Sequence, residues 1–331
     1  MNKAAKTALI VAAVLIALGI LCCMASFAAA GWNLHEYEIQ SETYIQKSCD
    51  YDTDTVASLV FTDISRDIEI TRSNDDKIHI TYYESPKTGY SFEHTEDGTL
   101  TVTYYSSRKW YDYIGISFRF SDIKTVIAVP DGFSGDISVK LSSGDLRITG
   151  FTLDGSLTAE STSGDVQMSD FTCTGDMKIQ QTSGDFEGQA LSAASLSIKH
   201  TSGDIELDRL ETEALSLTSV SGDIEVEAGR ILSDCILHST SGELSLSDTQ
   251  IGGRLTCEST SGDIAAERIS TEDALLSSTS GDIHATLLGS FSDYHVDAKT
   301  TSGRIRIPEN GNGARTIQVK TTSGNISVYF R

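Results

Sequence analysis

The chain has 331 residues with 25 Lys and Arg against 47 Asp and Glu, a net charge of −22. So acidic a surface lacks the basic footprint that nucleic-acid binding needs. Its 39% hydrophobic content is enough to fill a core, which excludes a fully disordered chain.

Residues 7–30 carry no charge and are almost entirely apolar, so 1–30 reads as an N-terminal signal-anchor or transmembrane helix. Lys3 and Lys6 precede the span and Glu36 and Glu38 follow it. The positive-inside rule then predicts a single pass of the cell membrane with the C-terminal bulk extracytoplasmic. A signal peptide cleaved near Ala28 and Ala30, releasing a secreted protein, is the alternative. The apolar core is long for a signal peptide, which favours an uncleaved anchor.

Residues 31–133 hold ten of the twelve tyrosines and both tryptophans. Apolar alternation at Ile68, Ile70, Ile78 and Ile80, then at Leu100 and Val102, predicts irregular β structure. Ser65-Arg66-Asp67-Ile68 reads as a decayed copy of a turn that recurs further on. This segment is expected to start and cap a stack, with its aromatics packed inside the cap. A candidate ligand surface within it comprises Tyr104, Tyr105, Trp110, Tyr111 and Tyr113, beside Arg108 and Lys109.

Residues 134–331 repeat. A Ser-Gly-Asp turn recurs ten times at spacings of 19 to 22 residues, with glycines at 144, 164, 184, 203, 222, 242, 262, 281, 303 and 324. By residue these are Gly144, Gly164, Gly184, Gly203, Gly222, Gly242, Gly262, Gly281, Gly303 and Gly324. Serine precedes each, and an apolar residue always stands two positions after it, as at Ile205, Ile224 and Ile264. A half-way turn shows at Gly135, Gly155, Gly175 and Gly253, so each repeat reads strand, turn, strand, turn. Such a unit buries its apolar face only by stacking, strand on equivalent strand, ~4.8 Å apart. The predicted fold is all-β, a single-stranded parallel β-helix of about ten ~20-residue rungs, right-handed by the usual crossover rule and roughly 45–50 Å long. None of the three prolines, Pro86, Pro130 and Pro308, interrupts the first eight rungs. Glycine at the turn is expected to supply positive φ, and Asp to fold back onto backbone N–H groups of its own turn. The sequence ends within a rung, at Tyr329-Phe330-Arg331, so that edge is expected to need a cover: a partner or a second copy.

The acids at Asp145, Asp165, Asp185, Asp204, Asp223, Asp263 and Asp282 form the candidate calcium ladder. Carboxylates ~5 Å apart repel by just under ~1 kcal/mol per pair in water. Yet Glu243, Arg304 and Asn325 fill the same slot, and an Asx turn needs no metal, so no cofactor is expected. Cys235 and Cys257 fall on core positions as diagonal neighbours, ~7–8 Å apart and too far for an easy disulfide. His200 and His238 are read as outward-facing. No nucleophile-base pairing emerges, so the chain is not expected to be an enzyme.

The Thr-Ser-Gly-Asp-Ile signature at ~20-residue spacing, the Val126-Ile127-Ala128-Val129-Pro130 lead-in and the N-terminal apolar span resemble the putative adhesin β-strand-repeat family of bacteria. The resemblance covers about residues 55–331 and implies an envelope-associated solenoid, in some cases linked to envelope-stress signalling. It supplies no catalytic residue. The leading expectation is a membrane-anchored, non-catalytic binding or scaffold module contacting a wall polymer or an envelope protein. A partner-dependent envelope-stress regulator is the second reading, and a polysaccharide-active enzyme the third.

Overall fold

A computed structural model describes residues 12, 14–21, 24, 43–108, 123–308 and 313–331. Among these, no helix is long and apolar enough to cross a membrane. Most of the apolar span at 7–30 lies outside the described residues; those described within it are helical and exposed.

The described residues from 43 onward are all-β and form a β-solenoid of about nine turns with an antiparallel cap. Stacking is parallel and in register: Ile205 pairs with Ile224, Ile224 with Leu244 and Leu244 with Ile264. The apolar positions of every layer point into one core that runs the length of the rod, as Ile224, Val226, Cys235 and Leu237 illustrate. Cys235 and Cys257 are diagonal neighbours, free and fully buried, and burial pushes the Cys235 thiol up to about 12.

Some layers have three strand segments rather than two, for example Ile224–Glu227, Arg230–Ile231 and Cys235–Ser241, and in others they run together as one strand, as at Val166–Ser183. The additional corner lies six residues after the turn glycine. Gly150 occupies it once with φ +73°, and then Asp170, Ala190, Arg209, Ala228, Asp248 and Arg268 take it at φ +49° to +56°. A left-handed residue with a side chain costs roughly 1–2 kcal/mol, and the ladder on both sides holds each of these in place.

The turn glycines are required for a second reason besides the expected positive φ. Gly144 through Gly242 do have φ between +103° and +140°. Gly262, Gly281 and Gly303 lie outside the left-handed region. What all ten share is proximity: a Cβ on any of them would lie 2.5 Å or less from a carbonyl oxygen of the layer beneath. From Gly164 upward that oxygen belongs to another turn glycine. The lowest, Gly144, sits on the carbonyl of Arg66. Ser65-Arg66-Asp67-Ile68 is therefore the bottom of the column.

The order of layers departs from the order of sequence at both ends. Arg315–Ser323 pairs with Asp273–Ser280 on one side and Tyr294–Ser302 on the other. The last repeat is thus inserted between the eighth and ninth, and Gly324 rests on Gly281 while Gly303 rests on Gly324. The exposed edge is Tyr294–Ser302, not the C-terminal strand, which is paired on both sides. At the other end Ser58–Asp63 lies between Thr99–Ser106 and Asp136–Leu141. Antiparallel strands Ile45–Asp52, Lys77–Glu84 and Thr88–His94 complete the cap.

Two substitutions separate close approach from backbone conformation. Gly262→Ala is predicted to destabilise by about 2–3 kcal/mol through steric conflict. Gly150→Ala has nothing within 4 Å of the added methyl and is predicted to cost only about 1 kcal/mol, for its φ. Denaturant unfolding of both variants checks the order.

Candidate functional site

The acidic column is the most regular polar feature of the molecule. Each carboxylate reaches up to the next layer instead of folding onto its own turn. Asp145 N–H donates to Asp67 Oδ1 at 2.9 Å, Asp165 N–H to Asp145, and Asp185 N–H to Asp165. Asp204, Asp223 and Glu243 continue the series at 2.9, 2.8 and 2.7 Å. Asp282 N–H donates to Asp263 and Asn325 N–H to Asp282, both at 2.7 Å. The amide that follows the glycine lies outside the strand ladder, and a side-chain acceptor one layer down satisfies it. A charge-assisted bond of this kind is stronger than a neutral one.

The exceptions obey the same rule. Arg304 fills the slot in the edge layer, where no described residue stacks above it, so no acceptor is required there. Asn325 beneath it accepts from Arg304 N–H at 3.1 Å and donates its own amide to Asp282. These contacts hold the Asp282 carboxyl below its usual range. Glu243 breaks the chain: its longer side chain takes no such bond from Asp263 N–H, and burial, then Asp223, Asp263 and Glu225, raise its pKa.

As a calcium ladder, the column offers one carboxylate per layer with one oxygen already engaged by an amide. Among the described residues, no three His, Cys, Asp or Glu side chains are grouped to hold a metal ion. Parallel bonds support the opposite corner, where Ser156 N–H donates to Asp136 and Arg254 N–H to Asp234, at 2.8 and 2.9 Å.

Three residues before the turn glycines from Gly164 onward runs an internal polar column. Gln181 Nε2 donates to Gly164 O at 2.8 Å, Ser278 Oγ to Gly262 O at 3.0 Å and Thr321 Oγ1 to Gly281 O at 3.1 Å. His200 occupies the same column between Gln181 and Ser219. It is 3% exposed, which corrects the outward placement expected from sequence. Neither ring nitrogen makes a hydrogen bond of normal geometry. Burial lowers its pKa below 6.5, only partly offset by the Gly184 carbonyl and by Asp185 and Asp204.

The cap places the candidate aromatic surface differently from expectation. Tyr104 is 8% exposed and packs with Tyr90, which in turn contacts Phe61 and Tyr82. It is therefore part of the core and unavailable to a ligand. Tyr105 is exposed, and Trp110, Tyr111 and Tyr113 lie outside the described residues. The cap centre is Arg66, whose guanidinium lies 5.3–5.5 Å from the ring centres of Tyr44, Tyr90 and Tyr104. Arg66 also donates to Tyr83 O and to Thr88 Oγ1, while the fully buried Asp63 accepts from Tyr90. Among the described residues no turn-glycine carbonyl lies beneath this position, so a side chain fits there.

A broad open depression in the cap is lined by Asp52, Asp54, Asp76, Glu96, Asp97 and Asp131. Lys77 on its rim is already paired with Asp52 at 2.8 Å.

These features define a class: a stacked β-solenoid whose turns are joined by a hydrogen-bonded carboxylate column. The chain belongs to the Toastrack DUF4097 family, whose description matches residues 56–329. No curated protein matches it. Among solved structures it is similar to a putative adhesin from Bacteroides fragilis, at 18% identity and TM-score 0.35, covering 88% of this chain and 98% of that one. It is also similar to a putative lipid binding protein from Parabacteroides distasonis, at 17% identity and TM-score 0.37, covering 85% and 96%. A putative cell adhesion protein from Clostridium sporogenes matches at 10% identity and TM-score 0.23, covering 87% and 100%.

Two predictions follow from the columns. Asp204→Ala leaves Asp223 N–H without its acceptor and is expected to cost about 1 kcal/mol. Asp204→Asn keeps an acceptor, as Asn325 does, and is expected to be neutral or stabilising in thermal unfolding. For His200, the unfolded chain takes up a proton near pH ~6.5 that the folded chain refuses. Stability therefore falls as pH drops below that value, by at most about 1.4 kcal/mol per pH unit. His200→Gln, which reproduces Gln181, is expected to flatten the slope between pH 6.5 and 5 in urea titrations.

Proposed function

We propose that the chain is a non-catalytic binding module of the bacterial cell envelope, tethered to the membrane by the apolar span at 7–30 with its solenoid on the outer side. The observation that carries this reading is the uniformity of the rod. Layer after layer repeats one scheme of core, glycine contact and carboxylate bond. That arrangement supports length and stiffness, not a convergent set of reacting groups. Binding is expected to be independent of calcium, because the carboxylate column already serves backbone amides. Cosedimentation of the full-length chain, in mild detergent, with isolated bacterial cell walls tests this. Saturable pelleting that is equal with calcium and with chelator is the expected result. Absence of pelleting in both would overturn the reading, and pelleting only with calcium would return the carboxylates to the role of a metal site.

A further inference from the structure

The charge of the rod reverses at one end. Residues 294–331 contain six Lys and Arg against two Asp and Glu, while the preceding 293 residues contain nineteen against forty-five. The reversal coincides with the two end layers, Tyr294–Ser302 with Ile305–Arg306 and Arg315–Ser323 with Ile326–Phe330.

Register shows that these cations lack the carboxylate partners that others in the same columns have, a lack shared there by Lys199, which lies between Gln180 and Thr218. Four residues before the turn glycine, Lys140 is answered by Glu160 in the next layer at 2.7 Å, and His238 faces Glu258. In that column Lys320 has Ser277 on one side and Lys299 on the other. Two like charges stand side by side, an arrangement that destabilises a sheet. Past the turn, Arg306 stacks beside Ser327 and Arg304 beside Asn325, so neither meets a carboxylate in its column. Lys299, Lys320, Arg304 and Arg306 are all exposed, and among the described residues none forms a salt bridge. Most other lysines and arginines of the rod do, including Arg72, Lys124, Arg230 and Arg268.

We infer that this end is the binding face, and that its ligand is a linear polyanion bearing phosphodiester or carboxylate groups; the inference deepens the envelope-binding reading and rests on it. The cations occupy a band only two layers deep, about 10 Å at ~4.8 Å per layer, with the Asp263 and Asp282 layers directly below. A thin chain laid across the end meets all four charges and clears the acidic column below, passing Asp297 beside Lys299 on the edge strand, whereas a broad anionic surface along the rod is repelled. The charges lie on both sides of an exposed turn, which suits an extended ligand more than a small anion.

The test titrates the full-length chain against fluorescent poly(glycerol phosphate), a phosphodiester polymer, and polygalacturonate, with neutral dextran as control. The comparison is with Lys299→Gln, Lys320→Gln, Arg304→Asn and Arg306→Ser combined, the last two borrowing residues of the adjacent layer. Binding of one or both polyanions and not of dextran is expected, and which of the two binds more tightly distinguishes phosphodiester from carboxylate chemistry. At about 0.7 log unit of affinity per log unit of salt for each neutralised charge, four contacts give a roughly fifty-fold loss from 50 to 200 mM salt. The combined variant is expected to lose that salt dependence, while Lys140→Gln with Lys178→Gln leaves it intact. Unchanged binding by the combined variant overturns the inference. Preference for phosphatidylglycerol vesicles over both polymers, or ligand-induced amide protection along Tyr294–Ser302 that marks addition of a peptide strand, also overturns it. If the combined variant still pellets with cell walls as the parent does, the envelope reading stands and this site falls.

Discussion

The structure depends on how closely two turns approach. At each Ser-Gly-Asp corner the backbone passes so near the layer beneath that a single added carbon would strike a carbonyl oxygen. Strand spacing is fixed at ~4.8 Å by hydrogen bonding, so the corner cannot relax outward without breaking the ladder. Glycine is the solution, and it brings two consequences. The following amide projects beyond the strand register and needs an acceptor from below, which the aspartate column supplies. The glycine carbonyl points inward, where Gln181, Ser278, Thr300 and Thr321 donate to it, while the Ser219, Ser239 and Ser259 hydroxyls in the same column make no hydrogen bond. One steric constraint thereby dictates two columns of residue types, the glycines and the aspartates.

A column has a bottom and a top, and the deviant residues sit there. Arg66 stands in the glycine's place at the bottom of the glycine column, and its side chain fills the aromatic centre of the cap. Arg304 replaces aspartate where no described layer lies above. Sequence identity at these positions follows from place in the stack. The same logic explains why the end layers tolerate cations that would disrupt the ladder elsewhere, and it leaves the rod acidic along its length and basic at one end.

The period, the buried alternation and the solenoid were legible in the sequence because each layer must repeat them to stack. The diagonal placement of Cys235 and Cys257 followed from phase alone. Layer order was not legible: Ala298-Lys299-Thr300-Thr301-Ser302-Gly303 and Val319-Lys320-Thr321-Thr322-Ser323-Gly324 carry nearly the same pattern, so nothing local states which lies outside. The third corner was hidden because Asp, Ala and Arg occupy its left-handed position and only Gly150 marks it. His200 was misplaced because its column holds Ser, Gln and Thr, which read as surface residues until the inward glycine carbonyls are seen. Tyr104 belongs to the core for a related reason: its burial comes from the antiparallel strand Thr88–His94, a pairing that the repeat pattern does not contain.

The account rests on the carboxylate column being a ladder of hydrogen bonds, and amide hydrogen exchange resolved by residue measures this most directly. The N–H groups of Asp165, Asp185, Asp204 and Asp223 are exposed by position yet bonded to the layer beneath. Asp263 occupies the same position above Glu243 and lacks that bond. Slow exchange at the four and fast exchange at Asp263 is the predicted result. Equally fast exchange at all five would contradict it, and the aspartates would then be a solvated row of charges with no part in holding the layers together.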